Sequence, residues 1–379
     1  MTDPSSQTSG SSLGQPVDQS LEQALMQRIR TSGPIGVDDY MAACLGTAGS
    51  GYYQSRDPFG SAGDFITAPE ISGLFGEMCG LYLAHMFELS SMPPAATVIE
   101  LGPGRGTLMR DMRHVWDQLM PPLSAAPVRM LETSPALRAV QAELLASTTD
   151  IGWHDEMPAL LETVSGPVFG IANEFFDALP VAQLVWQHGA WHQRLVGVED
   201  GRLNFTIGSA MDAHDPALPA NPQDGMVAEL CPQAETVMQH LAGTVARCGG
   251  AVLIIDYGRN GNAGDSLQAV ASHQPIDIFA EPGAADLSHW VNFAALSRAA
   301  TQAGARLVGP VPQGRFLMRI GLAARAEQVA AFADPEERRA LLAAIDRLTS
   351  PVQMGEVFKV ALLVPDGTGL PPGFEMEAV

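Results

Sequence analysis

The chain has 379 residues, 46 % of them hydrophobic and 17 % charged, with a formal net charge of −21. That length can bury a large core, and no apolar run approaches the length of a membrane span. The negative charge excludes nucleic acid as an expected partner, since phosphates would be repelled, and permits a basic one.

Residues 1–20 are rich in Ser, Gln, Gly and Pro and contain no Lys or Arg. They read as a disordered tail that fits neither a secretory signal nor an arginine-rich transit peptide, so the expected location is cytoplasmic. Four scattered cysteines, Cys44, Cys79, Cys231 and Cys248, lack metal-like pairing and read as reduced core thiols. Leu21, Leu25 and Ile29 recur at helical spacing and stop at Gly33-Pro34. Val37 to Leu45 reads as a second helix. Gly51 to Ser72 mixes aromatics, glycines and charges without periodicity, as an ordered functional loop does. Helical spacing resumes from Ile71 to Leu89, so residues 21–95 form an amino-terminal helical lid region.

Thr97-Val98-Ile99-Glu100-Leu101 reads as a buried parallel strand, and glycines stand at 102, 104 and 106 before a helix from Leu108 to Leu119. Strand, glycine turn and helix bring backbone N–H groups and a positive helix end to a ligand. A dinucleotide fingerprint would need its third glycine at Thr107, and no Gly-Lys-Ser/Thr follows for a phosphate loop. The pattern acid-x-G-x-G-x-G remains. It resembles the first motif of S-adenosylmethionine (SAM) methyltransferases, where a Cβ would obstruct close backbone approach to the ligand.

Val128 to Glu132 is a second strand ending on an acid, where a carboxylate can accept bonds from ribose hydroxyls. A helix from Pro135 to Leu145 and a strand from Ile151 to Asp155 follow. Val168 to Ala172 is the fourth strand and empties into Asn173-Glu174-Phe175-Phe176-Asp177. Gln183 to Ile207 alternates, with turn signals at His188-Gly189 and Asp200-Gly201, and reads as an inserted antiparallel meander. Ala234 to Ala246 is helical, Ala251 to Gly258 the fifth strand, and Gly261 to Gln274 irregular. A helix from Phe293 to Ala303 follows. Phe316 to Leu322 and Val357 to Val364 read as the last strands, around a helical stretch from Glu327 to Leu348. The sheet domain therefore spans 96–364, with insertions at about 183–230 and 259–313, and a loose tail occupies 365–379.

These blocks carry a resemblance. Gly51-Tyr52-Tyr53, Arg56 to Gly60, Gly63 to Ser72, Glu100 to Gly106 and Asn173 to Val181 resemble the MidA-like SAM-dependent methyltransferases. So do Ile255 to Gly258, Pro282-Gly283, Ala285-Asp286-Leu287, Gln313-Gly314 and Phe316-Leu317. That family is related to the mitochondrial complex I assembly factor that methylates a protein arginine. The chain departs from it at Ala68, where Ser is usual, and at Asn292, where Asp is usual. The resemblance implies an α/β, Rossmann-like seven-stranded sheet, SAM as cofactor and a protein substrate, which could be a respiratory complex I subunit.

Methyl transfer to an arginine nitrogen needs a planar, permanently charged donor to be gripped and aligned. Acids near the methyl suit that task. By analogy with other N-methyltransferases, Asn173 and Glu174 orient the nitrogen, one of Phe175 and Phe176 walls the site, and Asp177 assists or caps a helix. For the cofactor, Glu100 reads the amino group, Gly102, Gly104 and Gly106 line the backbone, and Glu132 holds the ribose. Trp153 and His154 lie against adenine, and Asp64 closes over the site. No metal is expected, because His154 has no second ligand at a suitable spacing. A small-molecule methyltransferase would differ only in its covering insertions, and a non-catalytic SAM-binding assembly factor would tolerate loss of Glu174.

Overall fold

The computed structural model describes residues 20–55, 67–90, 95–211 and 218–375. Apart from Ser20, the tail expected over 1–20 lies outside them, as do Asp64 and most of its loop. Helix α1 (Leu21–Ser32) buries Leu21, Leu25 and Ile29 and stops at Gly33, whose N–H reaches the Ile29 carbonyl at 2.9 Å. Helix α2 (Val37–Gly46) follows, and α3 (Gly73–Leu89) begins where Ser72 Oγ accepts from the Leu74 N–H at 3.2 Å. The cap explains why the helix starts at Gly73 rather than Ile71.

Among the described residues, seven strands run in one path: β1 (Thr97–Leu101), β2 (Val128–Leu131), β3 (Ile151–His154), β4 (Val168–Asn173), β5 (Gly250–Arg259), β6 (Ala305–Pro312) and β7 (Phe358–Pro365). Their order is β6-β7-β5-β4-β1-β2-β3, and a short strand, Val291–Asn292, adds to the end of β5. β1 to β5 pair in parallel, whereas β7 is antiparallel to β5 and β6. The order reverses between β1 and β4, which opens a ligand crevice at their carboxyl ends. Alternate residues feed two cores: Val98 meets Phe75, Met78 and Trp116, while Ile99 and Leu101 meet Val237, Leu241 and Phe293. On the first face α4 (Thr107–Leu119) lies so close to α3 that a Cβ on Gly80 would come within 2.9 Å of Met112 Cα.

The inserted meander exists and is larger than expected. Ala182–Gln187, Ala190–Glu199 and Arg202–Met211 are joined at His188-Gly189 and Asp200-Gly201, all four at positive φ as tight hairpin turns require. Val227–Leu230 pairs with the first of these strands, and Ile35–Gly36 pairs with the second. The amino-terminal helices are thereby stitched to the meander, sharing a core of Ile29, Tyr40, Val196 and Leu203.

Three expectations are corrected. Phe316 to Leu322 is not a strand: α6 (Gln313–Arg319) buries Gln313, Gly314, Phe316 and Leu317, a helical spacing hidden inside a short apolar run. The sixth strand is instead Ala305–Pro312, whose signal is broken by Gly309-Pro310. Within the irregular stretch 261–274, Gln268–Ala271 turns at Ser272-His273 onto Gln274–Ile276 and also pairs with Asp286–Ser288. Neither turn residue is Gly or Asn, so nothing announces the hairpin. The segment after Pro365 is docked through residue 375, with Phe374 buried 5.4 Å from the Phe316 ring.

Candidate active site

At the end of β1 the chain enters the glycine turn. Gly102, Gly104 and Gly106 have φ of 64°, 53° and 83°, where a Cβ is disfavoured. At Gly102 a Cβ would also stand 3.0 Å from the Phe175 ring. Glu100 is buried below the turn, and its Oε2 has no hydrogen-bond partner among the described residues. Burial, then the neighbouring Glu132, pushes its carboxyl well above the usual range. A buried acid with an unused acceptor oxygen fits a ligand that brings its own donor, as the amino group of SAM does.

Glu132 follows the end of β2 with both oxygens held. Oε1 accepts from the Ser134 N–H at 2.8 Å and Oε2 from Gln141 Nε2 at 3.2 Å. Burial raises its pKa, and these donors oppose the rise. Trp153 does not wall the cavity. Its indole Nε1 donates to Gln141 Oε1 at 2.7 Å, behind the turn. His154 is also outside the lining, and the wall beside Glu132 is formed by Asp155, Glu156 and Met157.

The second half of the site is a nest of acids. Glu174 follows β4 at φ 51°, unusual for a residue with a Cβ, and its N–H donates to the Ile255 carbonyl at 2.8 Å. Its Oε1 accepts from Asn173 Nδ2 at 3.2 Å and from the Ala68 N–H at 3.3 Å. Asp256, fully buried on β5, underpins the turn. Its Oδ2 accepts the N–H groups of Phe175, Phe176 and Asp177 at 3.2, 3.0 and 3.3 Å. Asp286 Oδ1 accepts from the Tyr53 hydroxyl at 2.9 Å. Tyr257 opposes the rise of the Asp177 carboxyl, and Asp177 Oδ1 is buried with no hydrogen-bond partner among the described residues.

Burial pushes all four acids up, reinforced by like charge at Glu174, Asp256 and Asp286. Glu174 rises to about 7 and Asp177 to about 6. Phe175 lines the cavity, and Phe176 is core.

A cavity of about 980 Å³ joins the two halves, at the upper end of the range for small-molecule sites. Gly102, Gly104 and Glu132 line it together with Glu174, Asp177 and Asp286. Ala42 and Leu45 of α2 and Tyr53 also line it, so the amino-terminal region forms part of the wall. The sequence reading assigned no role to Asp256, Asp286, Tyr53, Tyr257 or Gln141. The first four do stand in the blocks that carry the resemblance, whereas Gln141 has no signal beyond a polar residue in an amphipathic helix.

A family model described as S-adenosyl-L-methionine-dependent methyltransferase matches residues 78–311. The protein arginine methyltransferase NDUFAF7 of Danio rerio is 32 % identical over 370 residues, covering 90 % of this chain and 86 % of the relative. Its Mus musculus counterpart is 34 % identical over 368 residues, covering 90 % and 83 %. A Burkholderia thailandensis protein crystallised with S-adenosyl-homocysteine superposes with a TM-score of 0.81 at 29 % identity, covering 93 % of this chain and 94 % of that one. The expected cytoplasmic location is corrected by these relatives, since those of Danio rerio, Mus musculus and Homo sapiens are named as mitochondrial. A lack of Lys and Arg in twenty residues does not carry a compartment.

Proposed function

The chain belongs to the family of S-adenosyl-L-methionine-dependent methyltransferases, and from that premise we propose that it methylates an arginine nitrogen of a partner protein. The observation that carries this reading is the nest of Glu174, Asp177, Asp256 and Asp286. Four mutually repelling buried carboxyls are a poor place for a neutral or anionic acceptor and a good one for a guanidinium. Relatives named as protein arginine methyltransferases support the same choice. A respiratory complex I subunit is the partner class to test first.

SAM, when bound, supplies an electrophilic methyl group. Glu100, the three glycines and Glu132 are the residues that would hold it. Glu174 and Asp177 accept guanidinium N–H bonds and fix its plane, and Asn173 holds Glu174 in place. Methylating a guanidinium releases one proton, and a carboxylate held near 7 is matched to take it.

Methyl-labelled SAM should therefore put label into a partner protein, recovered on arginine after hydrolysis. Label on lysine or in a small molecule would overturn the reading, and no transfer at all would favour a non-catalytic role.

The raised pKa values also set opposite pH trends. The carboxylates must be ionised to grip a cation, so kcat/KM for the acceptor should fall as pH drops through about 7 and then about 6. Stability has the other sign. A folded-state acid pKa above its unfolded value means the native state holds more protons between the two, so this contribution is lost as pH rises from about 4.5 to about 7. Melting temperatures of the ligand-free protein measured across that window should fall. The kcat/KM for the acceptor over the same window should rise. A rise in both together would contradict the assignment.

A further inference from the structure

Gln141 lies on helix α5 (Pro135–Leu144) with no exposed surface. Its Nε2 donates to the Gly104 carbonyl at 2.6 Å and to Glu132 Oε2 at 3.2 Å, while its Oε1 accepts from Trp153 Nε1 at 2.7 Å. A Cβ on Gly106 would come within 3.3 Å of Gln141 Cγ, so the side chain also packs beneath the turn. One side chain thus touches the glycine turn, the acid after β2 and Trp153 of β3.

We propose that Gln141 is the positioning residue of the cofactor cradle, setting affinity for the adenosyl ligand without lining the cavity. The amide orientation is dictated by its partners. A carbonyl and a carboxylate both require a donor, and an indole N–H requires an acceptor, so the amide suits this place as no other uncharged side chain of its size does. Ser134 N–H holds one oxygen of Glu132 and Gln141 the other. The carboxylate plane is therefore fixed before any ligand arrives, with acceptor capacity left on each oxygen. The Gly104 carbonyl is pinned in the same act, which couples the shape of the turn to the direction of Glu132. Trp153 completes the device by fixing the amide itself.

Gln141→Glu keeps the shape and the acceptor for Trp153 but sets oxygen against the Gly104 carbonyl and Glu132. Gln141→Met keeps most of the volume and removes the donor. Calorimetry with S-adenosyl-homocysteine should show both variants binding about ten- to a hundredfold more weakly, the scale of losing a buried hydrogen bond to a charged group. Steady-state kinetics should place the loss in KM for SAM rather than in kcat. Trp153→Phe removes only the indole bond and should weaken binding by a smaller factor. Native affinity for S-adenosyl-homocysteine in a folded Gln141→Glu or Gln141→Met protein would overturn the proposal. So would a loss confined to kcat. If neither variant folds, unchanged affinity in Trp153→Phe would decide against it. None of these readings requires the methyl acceptor to be arginine.

Discussion

Glu174→Gln is expected to lower turnover by about two orders of magnitude or more, the scale of losing one charge-stabilising group. Affinity for S-adenosyl-homocysteine should stay within a few-fold of native. The substitution preserves volume and leaves Oε1 to accept from Asn173 Nδ2 and the Ala68 N–H, both of which reach that one oxygen. It removes the charge and turns an amide N–H₂ toward a guanidinium that offers only donors. Stability separates this effect from unfolding. Like charge from Asp177 and burial both push Glu174 up, so neutralising it relieves repulsion, and the variant should melt no lower than the native protein. Paired calorimetry, melting and methyl-incorporation measurements check all three statements. Native turnover in Glu174→Gln would move the grip to Asp177 or Asp286.

Much of this arrangement is legible in the sequence because the sheet advertises itself. β1, β4 and β5 are largely apolar and buried, β2 breaks its apolar run only at the half-buried Arg129, and each strand carries an acid near or just after its carboxyl end: Glu100, Glu132, Glu174 and Asp256. What periodicity misses has local causes. β6 carries Gly309-Pro310 where a strand should continue, and it survives by pairing on one side with β7, shifting register between Val308 and Val311. α6 is too short for its helical spacing to stand out from Phe316-Leu317. The hairpin at Ser272-His273 reaches positive φ without the Gly or Asn that mark such a turn in a sequence.

Site residues divide along similar lines. An acid at a strand end is visible from one segment. Asp286 is not: it reaches the nest through the small sheet of Gln268–Ala271 and Asp286–Ser288, and its partner Tyr53 is more than two hundred residues away in the chain. Trp153 illustrates the reverse error. A tryptophan beside a predicted ligand suggests stacking, yet the indole N–H needs an acceptor when buried, and Gln141 supplies it behind the cradle.

The largest effect is expected from Asp256→Ala, at a residue that does not line the cavity. Asp256 is fully buried, and besides the three N–H groups on Oδ2 it takes the Tyr257 N–H on Oδ1 at 3.0 Å. These bonds hold the chain from Phe175 to Asp177 just after Glu174 turns at φ 51°, a conformation that a non-glycine residue keeps only when its surroundings enforce it. Two effects oppose one another. Deleting Asp256 removes a carboxyl that burial, then Asp177 and Glu174, push well above the usual range, which relieves that burden. It also takes the acceptor from the three N–H groups held on Oδ2, each costing about 1–3 kcal/mol when left buried without one. The second effect wins, so unfolding free energy should fall by about 3 kcal/mol or more. Because Glu174 and Asp177 then lose their common support, turnover should fall further than in Glu174→Gln, by about three orders of magnitude on the scale of one lost stabilising group compounded by misplacement. Asp256→Asn keeps one oxygen for these N–H groups and should lie between the two. Denaturant unfolding and methyl incorporation on both variants test the order. An Asp256→Ala protein that folds and turns over within tenfold of native would mean that the turn at Glu174 holds its shape by other contacts, and that the acids of the nest are positioned independently of one another.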